Sequence, residues 1–367
     1  MAEIKKIQPE AEIAFVTDKR FFDFAKEKLA PLDVPVSKVS AGKFRRYANL
    51  KWYQQFEHIF ISYIPNFFDM FRFGLGIVQA KWKMRRFKPD VVFVKGGYVG
   101  LPVGLAAHWF KVPLVLHDSD AVPGLTNRIL AKYAVCVGLG MPQESWHYDK
   151  SKTEFVGIPI DPRYKLVGAG KKKQLRKKLV EESTRPIILA MGGSQGSRTI
   201  NEQILKNYPK IKGRAEVFLI TGSDNYNVVK NTTDNSKRQY LGLRILPFIS
   251  GDDLYDLVDA SDIAVTRAGA TSIAELAAGQ KATVIIPSPY LSSDHQSKNA
   301  ELLQLAKAAV VIPEDRLNER FPVAIENLLA DPKRRQDLGK KLHKFASTDA
   351  ATKMAEIILK VVDDAQK

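Results

Sequence analysis

The sequence predicts an α/β protein made of two doubly wound parallel sheets. Apolar, β-branched runs recur along the chain with amphipathic helical stretches between most of them, and strands that alternate with helices form parallel sheets covered on both faces. At 367 residues the chain exceeds one ordinary domain, and its 45% hydrophobic and 26% charged residues suffice for a core in each of two. The series breaks near residues 157–185, where prolines, glycines and the charge run KKKQLRKK (171–178) read as a linker or as a solvated helix face. The expected domains are therefore 1–160 and 161–349, with a C-terminal helix over 350–367 completing the first.

In chain order, EIAFVT (12–17), VVFVKGG (91–97), VPLVLHD (112–118) and CVGLG (136–140) are the strand-like runs of the first domain. PIILAMGG (186–193), EVFLITG (216–222), DIAVTRAG (262–269), ATVIIP (282–287) and AAVVIP (308–313) are those of the second. In open α/β sheets ligands sit outside the carboxyl ends of the strands, at switch points, and two facing domains would place that site in a cleft.

The most informative stretch is IILAMGGSQGSRTINE (187–202), an apolar strand that breaks at Gly192-Gly193 into a Ser/Gly turn and then a helix. Such a turn lets a phosphate approach backbone N–H groups at a helix N-terminus, although tight βα turns also take glycine for backbone reasons alone. VVFVKGGYVGLPVGLAA (91–107) repeats the device in the first domain. Two phosphate-competent turns suit a donor and an acceptor that both carry phosphates.

VTRAGATSIAELAAGQ (265–280) is a further strand–turn–helix, with Thr266 to Ala270 as the turn. Ser272 followed by Glu275 fits a capping box; a carboxylate at Glu275 would equally accept both hydroxyls of a ribose. In PSPYLSSDHQSKNAELL (287–303), Asp294 either caps a helix or joins His295, Gln296 and Asn299 in a cluster for sugar hydroxyls.

The net charge of +16 points to a polyanionic partner. KFRRYANLK (43–51) and KWKMRRFK (81–88) bracket the aromatic segment 52–82. That segment reads either as a buried helix pair or as an interfacial patch. In the second case Trp52, Phe67, Phe68, Phe71 and Trp82 enter the acyl boundary, and Lys43, Arg45, Arg46, Lys81, Arg85 and Arg86 meet anionic headgroups; Trp109 and Phe110 extend it. A nucleic-acid binder would explain the charge but not the order of the motifs. The single cysteine, Cys136, fits a reduced compartment, and the polar N-terminus shows no signal peptide. No stretch is apolar enough to span a bilayer, and no metal-ligand cluster is visible.

Taken together, GGSQGS (192–197), FIS (248–250), RAGATSIAEL (267–276) and DHQSKNA (294–300) resemble the donor half of the MurG glycosyltransferases. KPDVVFVKGGYVGLPVGLAA (88–107), VPLVLHDSDAVPGLTNRILAKYA (112–134) and VGIPI (156–160) follow in the family's order, so the resemblance covers nearly the whole chain. It implies the GT-B fold, two Rossmann-like domains facing a cleft. It implies inverting transfer of N-acetylglucosamine from UDP-N-acetylglucosamine to a polyprenyl-pyrophosphate-linked muramyl peptide, without a cofactor, at the cytoplasmic face of an anionic membrane. Residue by residue, Gly193, Ser194, Gln195 and Gly196 would meet the donor diphosphate, with Phe248 and Ile249 beside the uracil. Ala270, Thr271 and Ser272 would continue that site, Glu275 would hold the ribose diol, and Gln296 with Asn299 would read the sugar. Gly96, Gly97 and Tyr98 would approach the acceptor pyrophosphate, with His117, Asp118, Asp120 and Asn127 on the acceptor side. Such a transferase would not be a nicotinamide enzyme, since GGSQGS is not the dinucleotide fingerprint. The rival readings are a diacylglycerol-type lipid glycosyltransferase and a non-catalytic sugar-nucleotide or lipid binder.

The sequence also departs from the family. MurG chains open with a strand, a Gly-Gly-Thr-Gly-Gly-His loop and a helix, whereas residues 2–8 here match the end of that helix and EIAFVT the second strand. The expectation is an upstream start or an element supplied by a separate chain, because the missing strand would be central. The family's hinge arginine is replaced by Asp161, with Arg163 as the stand-in on the donor side. Without the loop histidine, the general base is expected among His117, Asp118 and Asp120.

Overall fold

The structure, a computed structural model, describes residues 1–42, 64–142, 148–193, 196–289 and 294–366. It divides into Met1–Gly157 with Asp349–Lys367, and Ile158–Thr348.

The first unit runs α1 (Ala2–Ile7), β1 (Phe15–Thr17), α2 (Phe22–Leu29), β2 (Val36–Lys38), α3 (Ile64–Phe87), β3 (Val92–Val94), α4 (Gly100–Trp109), β4 (Leu114–Asp118), α5 (Leu125–Leu130), β5 (Cys136–Leu139) and β6 (Thr153–Phe155). All its pairings are parallel, in a two-stranded sheet β1-β2 and a four-stranded sheet β3-β4-β5-β6. Among the described residues no strand joins β1 to β3. Every residue of β4 is buried, which is why VPLVLHD reads as a continuous apolar run rather than an alternation. Leu114 and Leu116 pack against α3, α4 and α5, while Val115 faces Met354 and Ile358 of the C-terminal helix Ala350–Ala365. That helix lies close: a Cβ on Gly138 would come within 2.8 Å of Met354 Sδ.

The second unit runs α6 (Ala169–Val180), β7 (Ile187–Met191), α7 (Arg198–Ile211), β8 (Glu216–Ile220), α8 (Ser223–Asp234), α9 (Lys237–Tyr240), β9 (Leu243–Leu246), α10 (Asp252–Ala260), β10 (Ile263–Thr266), α11 (Ala270–Ala278), β11 (Ala282–Ile285), α12 (His295–Leu305), β12 (Val310–Val311), α13 (Leu317–Ala330) and α14 (Pro332–His343). Its single parallel sheet has the order β12-β11-β10-β7-β8-β9. The chain winds outward one way from β7 and the other way from β10, so the switch point falls between these two strands.

The charge run is neither linker nor idle surface. It forms α6 and is clamped to α10 and the start of β10: Lys172 and Arg176 each reach an Asp262 oxygen at 2.7 Å, and Lys178 reaches Asp256 at 2.7 Å. Asp262 also accepts the Ile187 amide at 2.9 Å, and these cations hold its carboxyl below the usual range although burial pushes the other way.

Candidate functional site

At the switch point of the second unit, the turn after β7 and the turn after β10 stand side by side. In the first, Gly196 (φ 73°) is required by crowding, since a Cβ there would meet Thr221 O at 2.2 Å. Gly193 (φ 76°) has nothing within 4 Å of its Cβ position, so its backbone is open to a ligand. Ser194 and Gln195 lie outside the described residues. Ser197 caps α7, its Oγ accepting the Ile200 amide at 3.3 Å.

The expected capping box at Ser272 is corrected. α11 begins earlier, at Ala270 with Gly269 as N-cap, and no side chain caps it. Ser272 is therefore within the first turn, and Glu275 is too far along to reach back. Among the described residues, the first-turn amides of Ala270, Thr271 and Ser272 have no side-chain cap at this helix N-terminus, which favours an anion. Glu275 is half-buried and has no hydrogen-bond partner among the described residues; burial, then the charge of Asp161, pushes its carboxyl up to about 7.

Phe248 is exposed and Ile249 half-buried after β9. Gln296 uses its Oε1 to accept the Ser288 amide at 2.9 Å, which orients its amide group. Asn299 is corrected as a direct sugar reader: it is wholly buried and donates to Ala268 O at 3.0 Å, acting behind the turn. Asp294 stands at the N-cap of α12 with left-handed backbone, and its side chain makes no cap bond, contrary to that reading. Arg163 is not a free cation on the donor side. It donates to Asp161 at 3.0 Å, to Asp252 and to the Tyr255 hydroxyl at 3.1 Å, and lies over the Tyr255 ring. The hydrogen bond from Arg163 holds the Asp161 carboxyl down at about 2.

In the first unit, the predicted acceptor residues gather at the carboxyl ends of β3 and β4. Gly96 (φ 81°) and Gly97 (φ 76°) are left-handed; a Cβ on Gly96 would touch Asn127, and nothing lies within 4 Å of one on Gly97. Thr126 Oγ1 donates to Gly97 O at 2.8 Å, and Asn127 Nδ2 to His117 O at 3.1 Å, leaving the buried Asn127 Oδ1 without a partner among the described residues. Tyr98 donates its hydroxyl to Asp18, which bridges the turn after β3 to the end of β1.

The candidate bases separate by environment. His117 is wholly buried, its Nε2 donates to Gly157 O at 2.9 Å and its Nδ1 accepts from Ser119 Oγ at 3.3 Å. Burial pushes its imidazole down to about 4, so it is a neutral, fully engaged ring and not an exposed base, which corrects that expectation. Asp118 is also buried, and burial pushes its carboxyl up to about 6. Asp120 is half-buried.

On α3 the aromatics of the interfacial reading are exposed, and residues 52–63, which a buried helix pair would need, lie outside the described residues. Phe67, Phe68, Phe71, Leu75, Val78 and Trp82 are each more than half exposed, and Trp109 is 70% exposed. Lys81 lies 3.3 Å from the Trp109 ring centroid, and the Arg86 guanidinium 5.6 Å from that of Trp82. No helix among the described residues is long and apolar enough to cross a membrane. Trp52, Lys43, Arg45 and Arg46 lie outside the described residues.

Two residues that the sequence gives no role lie at these places: Arg267, within the turn after β10, donates to Ser197 beside the turn after β7, and Tyr148 donates to Asp118. Arg267 did carry a signal: a long cation placed between a strand end and a helix start.

Comparison with known proteins follows the same division. Residues 2–139 match the glycosyltransferase family 28 N-terminal domain, and residues 187–354 its C-terminal domain. A UDP-N-acetylglucosamine–N-acetylmuramyl-(pentapeptide) pyrophosphoryl-undecaprenol N-acetylglucosamine transferase of Listeria monocytogenes serotype 4a is 30% identical, covering 98% of this chain and 94% of the relative. The transferase of the same name from Geobacillus thermodenitrificans is 34% identical, covering 89% and 84%. Among solved structures, MurG of Acinetobacter baumannii superposes with a TM-score of 0.71 at 21% identity, covering 98% of this chain and 94% of that one. The calicheamicin glycosyltransferase CalG4 does so with a TM-score of 0.65 at 13% identity, over 98% and 93%.

Proposed function

The chain belongs to the MurG glycosyltransferases of family 28, and from that membership we propose which of its residues carry the transfer. It is a GT-B glycosyltransferase that moves N-acetylglucosamine from UDP-N-acetylglucosamine to undecaprenyl-pyrophosphoryl-N-acetylmuramyl peptide, turning lipid I into lipid II in peptidoglycan synthesis.

UDP occupies the switch point of the second unit. Its diphosphate lies against the open backbone of Gly193 and the uncapped first turn of α11, and Ser194 and Gln195 belong to the same turn in sequence. Glu275 holds the ribose diol, Phe248 and Ile249 flank the uracil, and the Gln296 amide donates to the sugar. One coincidence carries this reading: an open glycine turn follows β7, and a half-buried carboxylate, unpartnered among the described residues, lies in the helix that follows the adjacent β10. The acceptor pyrophosphate lies against Gly96 and Gly97. As the acceptor hydroxyl oxygen bonds to the anomeric carbon, its proton passes to Asp118 or Asp120, and the bond to the UDP oxygen breaks with inversion. The charge on departing UDP is met by helix N-terminal amides aimed at it beforehand.

The enzyme works at the cytoplasmic face of the membrane through the outward aromatics of α3 and Trp109, with Lys81, Arg85 and Arg86 against anionic headgroups. An amphipathic helix with a basic rim binds such surfaces by burying its apolar face.

The test is an assay of the chain with UDP-N-acetylglucosamine and an undecaprenyl-pyrophosphoryl muramyl peptide. UDP release with formation of the disaccharide lipid is expected. UDP binding without product would reduce the chain to a binder, and turnover only on diacylglycerol would move it to the other lipid glycosyltransferases.

A further inference from the structure

We propose that Arg267 is the positioning residue of the donor site, a cross-link that fixes the start of α7, where the diphosphate turn ends, and whose charge is not directed at the diphosphate. The proposal rests on the reading of that turn as the donor cradle.

Arg267 directly follows β10, and its side chain is 14% exposed. Its Nε donates to Ser197 Oγ at 2.9 Å, the hydroxyl that caps α7. One terminal nitrogen donates to Thr199 Oγ1 at 2.9 Å, in the first turn of α7. The other donates to Ile286 O at 3.2 Å, at the end of β11, and to Glu314, which follows β12. One planar group therefore ties together segments that follow β7, β10, β11 and β12, all at the carboxyl end of the sheet. Asn299, donating to Ala268 O at 3.0 Å, fixes the residue next to Arg267 from α12.

The chemistry of the partners decides between a phosphate ligand and a brace. An arginine has five N–H donors in a rigid fork. Here the fork is occupied by hydroxyls, a carbonyl and a carboxylate of the protein itself. The half-buried pair with Glu314, which is 18% exposed, neutralises the guanidinium where it stands. Glu314 also accepts from Thr199 Oγ1 at 3.2 Å, so the ion pair and the helix start form one closed network. A site of this kind gains affinity from donors already held in place, because little order remains to be imposed on binding. The network reaches Ser197 and Thr199, directly after the crowded Gly196.

A brace and a charge ligand respond differently to conservative change. Lysine keeps the charge of arginine but not the fork. Arg267→Lys is expected to weaken UDP by about tenfold or more while changing uridine binding by less than about threefold, because only the diphosphate end depends on the turn. Glu314→Gln keeps an oxygen for Arg267 and removes the neutralising charge. That loosens one arm of the brace and frees the guanidinium charge, so a brace is expected to hold UDP at unchanged or weaker affinity, whereas a charge ligand would bind UDP more tightly. Calorimetric titration of both ligands, below the melting temperature of each variant, reads these values. Wild-type affinity in Arg267→Lys, or binding tightened about tenfold in Glu314→Gln, would overturn the proposal. If wild-type protein binds UDP no more tightly than uridine, the cradle reading itself fails, which is a separate outcome. Thr199→Val removes a single strut and serves if Arg267→Lys does not fold; a several-fold loss for UDP with none for uridine is expected, and an equal loss for both would overturn the brace.

Discussion

Tyr148 donates its phenol hydroxyl to Asp118 Oδ2 at 2.8 Å, holding one oxygen of the carboxylate that ends β4. Burial pushes this carboxyl from 3.8 up to about 6, against the hydrogen bonds from Tyr148 and Asn127 that favour its ionised form. The pair gives the proposed base both a place and a working range.

If Asp118 takes the acceptor proton, kcat/KM falls on the acid side of about pH 6. Tyr148→Phe removes a donor that favours the carboxylate, so the acid limb is expected to move to higher pH. Asp118→Asn should lower kcat by about 10²–10⁴-fold with UDP binding kept. A pH–rate profile of the variants checks this, and an unmoved limb in Tyr148→Phe would pass the role to Asp120. The same shift enters stability. The native state binds this proton more tightly than the unfolded chain, so stability from this group declines as pH rises from 3.8 towards about 6. Asp118→Asn is expected to flatten that decline in denaturant melts.

Glu275 must be ionised to accept both ribose hydroxyls, and its carboxyl titrates at about 7 in the unliganded protein. UDP is therefore expected to bind more tightly as pH rises through that value. Glu275→Gln should remove the dependence and weaken UDP by about 10–100-fold, the worth of hydrogen bonds to a charged acceptor. Titrations at several pH values check it; a pH-independent wild-type affinity would take Glu275 out of the ribose site.

The two left-handed glycines of the diphosphate turn predict opposite phenotypes. Gly196→Ala drives a Cβ to 2.2 Å from Thr221 O and should lower the melting temperature sharply. Gly193→Ala meets open space, so its cost in stability is the left-handed strain alone, about 1–2 kcal/mol. Its larger effect is expected on UDP, whose approach the new methyl obstructs. Thermal melts paired with UDP titration separate the two.

Replacing Phe67, Phe71 and Trp82 with serine should abolish the salt-resistant part of binding to anionic vesicles, because it removes apolar area from the outward face of α3. Replacing Lys81, Arg85 and Arg86 with glutamate should abolish the salt-sensitive part. Vesicle flotation at low and high salt reads both; wild-type flotation in both variants would exclude this face.

Every strand-like run named from sequence forms a strand. β2, β6 and β9 escaped notice, and each is an edge strand of its sheet. VSK and TEF hold one apolar residue each, and Arg244 interrupts LRIL, so none carries a continuous apolar run to read. The helix α11 was placed too late because Ser272 and Glu275 match a capping box, yet Gly269 starts the turn with no side-chain cap.

Strand order within the motifs, the glycine turns, the family and its reaction follow from local pattern, because glycine, apolar runs and motif spacing keep their meaning along a linear chain. Burial and pairing do not, since they depend on neighbours far away in sequence. Only the folded chain encloses His117 and Asn299, ties Arg163 to Asp161 and Asp252, and leaves Glu275 without a partner among the described residues. It also gathers Ser197, Thr199, Ile286 and Glu314 around Arg267, across separations of up to 70 positions.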